Sequence, residues 1–178
     1  IEIKYQGELA SKNIKPLTVA VIKGILSPIL KETVNYVNAT TVAKDRGINV
    51  EEIKSSEETN YKCMITVRAT FEHGSNLVSG TIVSDQEERI VQIDEYNISF
   101  MPEGKLLVTK NTDKPGMVGK LGTILGQNNI NIARMELGRN INNKKAIMII
   151  SIDDNVTDKL LNELRSLEGI LGISLVEL

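Results

Sequence analysis

The stretch Asn111-Thr112-Asp113-Lys114-Pro115-Gly116-Met117-Val118-Gly119-Lys120-Leu121-Gly122-Thr123-Ile124-Leu125, closed by Asn129-Ile130-Asn131-Ile132, decides the reading of this chain. It reads as a strand end, a tight turn, a short helix, a second turn and a new strand. Pro115 suits the first position of a helix, where its fixed φ helps and its missing N–H is no loss. Gly116 lets the backbone turn in close. The free amides that follow point out of the helix N-terminus and, with the helix dipole, form an anion receptor without a cationic side chain. Asp113 stands just before that receptor, and Asn131 lies where the next strand begins. Amides for a carboxylate, beside side-chain oxygens for an ammonium, suit a zwitterion such as a small α-amino acid. The same residues also make an ordinary helix start with Asp113 as cap; both readings stand at this point. Gly116, Gly119 and Gly122 lack dinucleotide-fingerprint spacing, and no acidic residue ends a following strand at the required distance.

Working outward, residues 105–111 read as a strand, 116–127 as a helix, 130–137 as a strand and 139–145 as a polar loop. Residues 146–152 are apolar on both faces, as in a central strand. Residues 157–167 carry Leu160, Leu161, Leu164 and Leu167 on one helical side, and 170–176 form the last strand. The order βαββαβ closes into a four-stranded antiparallel sheet with both helices on one face. The other face and an edge are then open to a second copy, which would bring its Asn131 near the Asp113 turn. Pro102-Glu103-Gly104 marks the internal boundary, giving domains 1–103 and 104–178.

In the first domain, residues 1–9 read as a strand and 11–15 as a polar turn. A helix over 16–30 bears Leu17, Val21, Ile25 and Ile29, broadened by Val19, Ile22 and Leu26, with Pro28 as a kink or stop. A second helix covers 32–46 with Gly47 as its C-cap, and 48–54 form a strand. Residues 61–71 alternate cleanly, as in a half-buried antiparallel strand; 72–76 turn, and 77–83 return. Two short strands follow at 89–94 and 96–100. The fold class is therefore α+β, in two small domains.

Composition narrows the function. The chain has 178 residues and a net charge of −2, so no basic field argues for nucleic acid or an anionic membrane. The single cysteine, Cys63, rules out an internal disulfide, suits a reducing cytoplasm and reads as core packing. No apolar run approaches the roughly 20 residues of a membrane span. The chain opens at Ile1 in a strand-like Ile-Glu-Ile, as expected of a piece of something longer. His73, the only histidine, falls in a turn without metal-ligand spacing. The acidic pairs Glu51-Glu52, Glu57-Glu58 and Glu87-Glu88 lie in or beside predicted turns and read as solvated, and no catalytic constellation is recognisable.

The string Asn-x-Asp-x-Pro-Gly-x-x-Gly-x-x-Gly followed by Asn-Ile-Asn-Ile resembles the ACT domain, a regulatory module of amino-acid metabolism. The first half resembles the intervening domain of long-form D-3-phosphoglycerate dehydrogenases. The motifs are Tyr5-Gln6-Gly7-Glu8-Leu9-Ala10, Lys15-Pro16-Leu17-Thr18, Asn35-Tyr36-Val37-Asn38-Ala39, Ala43-Lys44-Asp45-Arg46-Gly47-Ile48, Val78-Ser79-Gly80-Thr81 and Arg89-Ile90-Val91-Gln92-Ile93.

The resemblance implies a regulatory portion of that enzyme, with L-serine bound between paired ACT domains as feedback inhibitor and self-association through those domains. By position it assigns Asn111, Asp113 and Asn131 to the effector, with Gly116, Met117 and Val118 supplying amides. Arg89 matches one basic position of an anion site; Tyr96, Met101 and Ser151 replace three others. NAD and the catalytic histidine belong to the parent enzyme, and no cofactor or metal is expected in this chain. The rival readings are a regulatory subunit of an iron–sulfur L-serine dehydratase, a free-standing amino-acid sensor and a purely structural oligomerisation module.

Overall fold

The computed structural model describes residues 1–30, 33–57, 59–84 and 86–178. Glu32, where the second helix was expected to begin, and Glu58, of the pair Glu57-Glu58, lie outside the described residues. Two compact units result, Ile1–Glu87 and Glu88–Leu178.

In the first unit, strand β1 (Glu2–Gly7) leads through a 3-10 turn (Glu8–Ser11) to helix α1 (Lys15–Leu26), helix α2 (Ala39–Asp45) and strands β2 (Glu51–Ser55), β3 (Cys63–Phe71) and β4 (Gly74–Val83). The strands lie in the order β2-β1-β3-β4. β1 pairs parallel with β2 and antiparallel with β3, and β3 with β4 antiparallel. β1 stops where Gly7 takes φ +68, its neighbour Glu8 donating to the Lys62 carbonyl at 2.9 Å. α1 ends at Leu26, short of the expected residue 30; Ser27 still has helical dihedrals, but Pro28 has no N–H to donate to the carbonyl four residues back, so the helical ladder stops. Its buried stripe is Thr18, Ile22 and Leu26; Thr18 was not expected there, and it earns the place by bonding the buried Tyr5 hydroxyl at 2.7 Å.

α2 is shorter than the expected 32–46 because Asn35 and Asn38 hold a turn in front of it. The Asn35 side-chain oxygen accepts from the amides of Val37 and Asn38, and that of Asn38 accepts from the Asn35 amide at 2.7 Å. Such side-chain bonds compete with helical ones. At the other end Gly47, φ +71, donates to Lys44, and Ile48 donates to Ala43, the paired bonds of a Schellman motif. The hairpin turn after β3 is only Glu72-His73, since Phe71 already faces Gly74.

The second unit carries strands β5 (Glu87–Ile93) and β6 (Tyr96–Phe100), an antiparallel hairpin, then β7 (Lys105–Thr112), α3 (Met117–Gln127), β8 (Ile132–Asn140), β9 (Lys145–Ile152), α4 (Asp158–Arg165) and β10 (Ile170–Glu177). The last four strands form an antiparallel sheet in the order β10-β7-β9-β8, a ferredoxin-like βαββαβ unit as expected. β8 runs three residues further than expected. The turn comes only at Asn140, whose side-chain oxygen accepts from the Asn142 and Asn143 amides.

Met117, Leu121 and Leu125 of α3, four residues apart, and Leu160, Leu161 and Leu164 of α4 pack on Leu107, Met148, Ile150, Ile152 and Ile173. Each such buried side chain contributes about 1.5–3 kcal/mol. The opposite sheet face is not open, contrary to expectation. Leu106, Ile147 and Ile149 on that face pack against Tyr96, Ile98 and Phe100 of β6. An apolar face of that size requires a cover, and the hairpin supplies it. Gly138 permits the approach: a Cβ there would lie 3.0 Å from the Asn97 carbonyl oxygen.

Candidate functional site

β7 alternates its side chains, so Leu107, Thr109 and Asn111 share the helix-bearing side of the sheet. All three are buried. Asn111 donates its amide N–H to the Thr112 carbonyl at 2.8 Å, while its own side-chain oxygen has no hydrogen-bond partner, nor has the Thr109 hydroxyl. Buried polar atoms without partners are uncommon and call for an explanation.

After Thr112 the chain turns through Asp113 and Lys114 into Gly116, the residue before α3, with φ +89. That left-handed conformation favours glycine. No side chain caps the helix, so the first amides of α3, beginning with Met117 and Val118, keep free N–H groups. Asp113 does not cap it either. Its carboxylate is taken by Arg139 near the end of β8, whose Nε and Nη2 each donate to Asp113 Oδ2 at 2.8 Å. That bond, and the charge behind it, push the Arg139 guanidinium above its ordinary value. On the opposite flank Gly169, φ +97, brings its backbone against Met117; a Cβ there would lie 3.0 Å from Met117 Sδ and 2.9 Å from Thr112 Oγ1.

Asn111, Asp113, Gly116, Met117 and Val118 therefore gather at one end of the sheet. Asn131 does not join them within one chain. It sits past the far end of α3, an 11-residue helix about 16 Å long. There its amide donates to Asp154 at 3.0 Å and its side chain donates to Asp153 at 2.5 Å. Arg89 lies on β5 with Nη1 at 3.4 Å from Ser99 Oγ. Of the positions tied to it in sequence, Tyr96 is buried and Met101 accepts a contact from Arg134 at 3.2 Å. Sequence reasoning missed Arg139, placed in a polar loop, and Thr109, placed in an unremarked strand. Arg139 is 26 positions from its partner, so no local spacing could have revealed the pair.

Among the described residues no cluster of three His, Cys, Asp or Glu side chains is arranged to hold a metal ion. No described helix is long and apolar enough to cross a membrane.

A βαββαβ unit with an uncapped, acid-flanked first helix, preceded by a separate helix-and-sheet unit, defines a two-module α+β chain of the ferredoxin-like kind. Residues 1–94 match the family model described as the D-3-phosphoglycerate dehydrogenase intervening domain, and residues 105–169 match the ACT domain. The chain belongs to the D-3-phosphoglycerate dehydrogenase family, of which it carries these regulatory modules. Over its whole length it is 43% identical to D-3-phosphoglycerate dehydrogenase of Synechocystis sp., covering 32% of that protein. It is 39% identical to that of Bacillus subtilis and 37% identical to that of Archaeoglobus fulgidus, again along the whole chain and over 34% of each relative. The chain thus spans about a third of the length of the curated relatives it matches.

Proposed function

We propose that this chain binds L-serine, or a similarly small amino acid, between two copies of its ACT unit, and so serves feedback inhibition of an NAD-dependent phosphoglycerate dehydrogenase. The observation that carries the reading is the bare N-terminus of α3: amides offered by Met117 and Val118 after Gly116, with the Asp113 carboxylate beside them. The ligand carboxylate takes the amides. Its ammonium takes Asp113, sharing that carboxylate with Arg139. Asn111, whose buried side-chain oxygen lacks a partner, receives the remaining donor.

Asn131 enters from the second copy. β8 is an outer strand of its sheet and spans Ile132–Asn140. Antiparallel pairing of β8 with its own copy, centred on Glu136, sets Asn131 of one chain opposite Ile141 of the other, beside the Arg139–Asp113 pair. Apolar side chains at the same border support this pairing: Val118, Leu137 and Ile141 are all exposed. We keep 1–103 and 104–178 as the two modules, a cytoplasmic location, and no nucleic-acid or membrane partner as part of the proposal. Arg89 enters it as an anion contact, by position alone.

Calorimetry with L-serine on the 178-residue chain is the test. Saturable heat is expected from the parent chain and little from Asp113→Ala or Asn131→Ala. An equimolar mixture of these two variants, allowed to exchange subunits, should regain about a quarter of the sites, because about half the dimers are then mixed and one of the two sites in each holds both native residues. No heat from the parent chain at millimolar serine, or no recovery in the mixture, removes the proposal.

A further inference from the structure

The first unit contains a cleft of about 620 Å³ between α1, α2 and the β2 edge, a volume within the range of small-molecule sites. Its floor is apolar: Ile22, Ala43, Ile48 and Val50. Its rim carries charges of both signs, Lys44 on α2 against Glu51 and Glu52 on β2.

Glu52 is held in place. The fully buried Tyr5 hydroxyl bonds to Thr18 Oγ1 at 2.7 Å, and the buried Thr18 hydroxyl in turn donates to Glu52 Oε1. With one hydroxyl proton each, the direction of the chain is set: Tyr5 donates to Thr18, and Thr18 donates to Glu52. One carboxylate oxygen is thereby fixed at the cleft wall, and the carboxylate keeps lone pairs able to accept further donors. Supporting hydrogen bonds of this kind hold a binding group at its productive angle. Glu52 faces this way by register: it sits opposite Ile3, whose side chain is fully buried. A merely solvated carboxylate, as the sequence suggests for Glu52, would need no such support.

We propose that this cleft is a second binding site, for an aliphatic α-amino acid. The aliphatic side chain lies on Ile22, Ala43, Ile48 and Val50. The ammonium pairs with Glu52, and the carboxylate pairs with Lys44. Tyr5 and Thr18 are positioning residues that act through Glu52. The site lies within residues 1–87 and does not depend on serine binding at the ACT unit.

The test is an NMR titration of the 178-residue chain with L-leucine, isoamylamine and 4-methylpentanoate, the last two lacking the carboxylate and the ammonium respectively. L-Leucine is expected to shift the amides of Ile22, Ala43 and Val50 saturably, with both truncated probes binding more weakly. Glu52→Gln, which keeps the shape and the bond from Thr18, should weaken L-leucine about tenfold, the worth of one charge-assisted hydrogen bond. Tyr5→Phe should weaken it less. Lys44→Met, an exposed helix substitution that leaves the fold intact, should erase the preference for L-leucine over isoamylamine. Asp113→Ala should change nothing here, which separates this site from the ACT site. The proposal is overturned by the absence of saturable shifts at tens of millimolar L-leucine, by shifts confined to residues 111–140, or by unchanged affinity in Glu52→Gln.

Discussion

A Cβ added to Gly7 would stand 2.2 Å from the Lys62 carbonyl oxygen, in a backbone already at φ +68. Gly7→Ala therefore combines left-handed strain with a clash against main chain that cannot swing away. Urea unfolding should register a loss of about 2 kcal/mol or more. Tyr5 offers a pH test. Burial pushes its phenol above the ordinary value of 10, and the Glu52 charge adds to this, while the bond to Thr18 works the other way. A folded value above the unfolded one means that the stability from neutral Tyr5 is complete below pH 10 and lost as pH rises through the folded value. Tyr5→Phe should be less stable at pH 8 by about 1 kcal/mol, one buried hydrogen bond. The gap should narrow as pH rises above 10, measured by urea midpoints. At this scale the sequence was informative only where the signal is local. Asp113, Pro115 and Gly116 announced a helix start because turn chemistry depends on neighbours. The partner of Asp113 could not be seen, since Arg139 meets it through strand pairing. Thr18 sits among apolar neighbours and gave no sign of bonding Tyr5, which lies on another element.

Helix ends carry the next set of expectations. Thr157 caps α4 by accepting the Leu160 amide at 3.2 Å, so Thr157→Ala should cost about 1 kcal/mol. Gly47→Ala, in the left-handed position closing α2, should cost a similar amount; thermal melts check both. The elements themselves were readable from periodicity, because each buries one face. Their limits were not. α2 begins late because Asn35 and Asn38 bond each other's backbone, and β8 runs on because the turn waits for Asn140. Both outcomes come from side-chain bonds to nearby amides, which hydrophobic spacing does not record. Edge strand β2 starts within the expected 48–54 strand and runs one residue past it, so Glu51 and Glu52 lie in the strand itself rather than in a turn beside it. Charged side chains on an outer strand guard it against pairing with other chains, and here Glu52 also reaches Thr18.

For the whole molecule, the order of strands in residues 105–178 followed from βαββαβ alone, since short connections leave few alternatives. What covers the second face of that sheet did not follow, because the hairpin precedes the motif and carries no mark of its destination. The proposed pairing through β8 leads to a direct expectation: Leu137→Glu should shift the chain toward monomer in sedimentation experiments while leaving its melting temperature within a few degrees, as Leu137 is already 45% exposed. A dimer unaffected by the change would place the contact elsewhere. The hairpin of β5 and β6 also matters for anyone who separates the ACT unit. Cutting the chain at Pro102 would strip Tyr96, Ile98 and Phe100 from Ile147 and Ile149 and leave a greasy sheet bare to water. Such a shortened polypeptide should clump and bind hydrophobic dyes, whereas one beginning at Glu88 keeps its own lid and should stay dispersed.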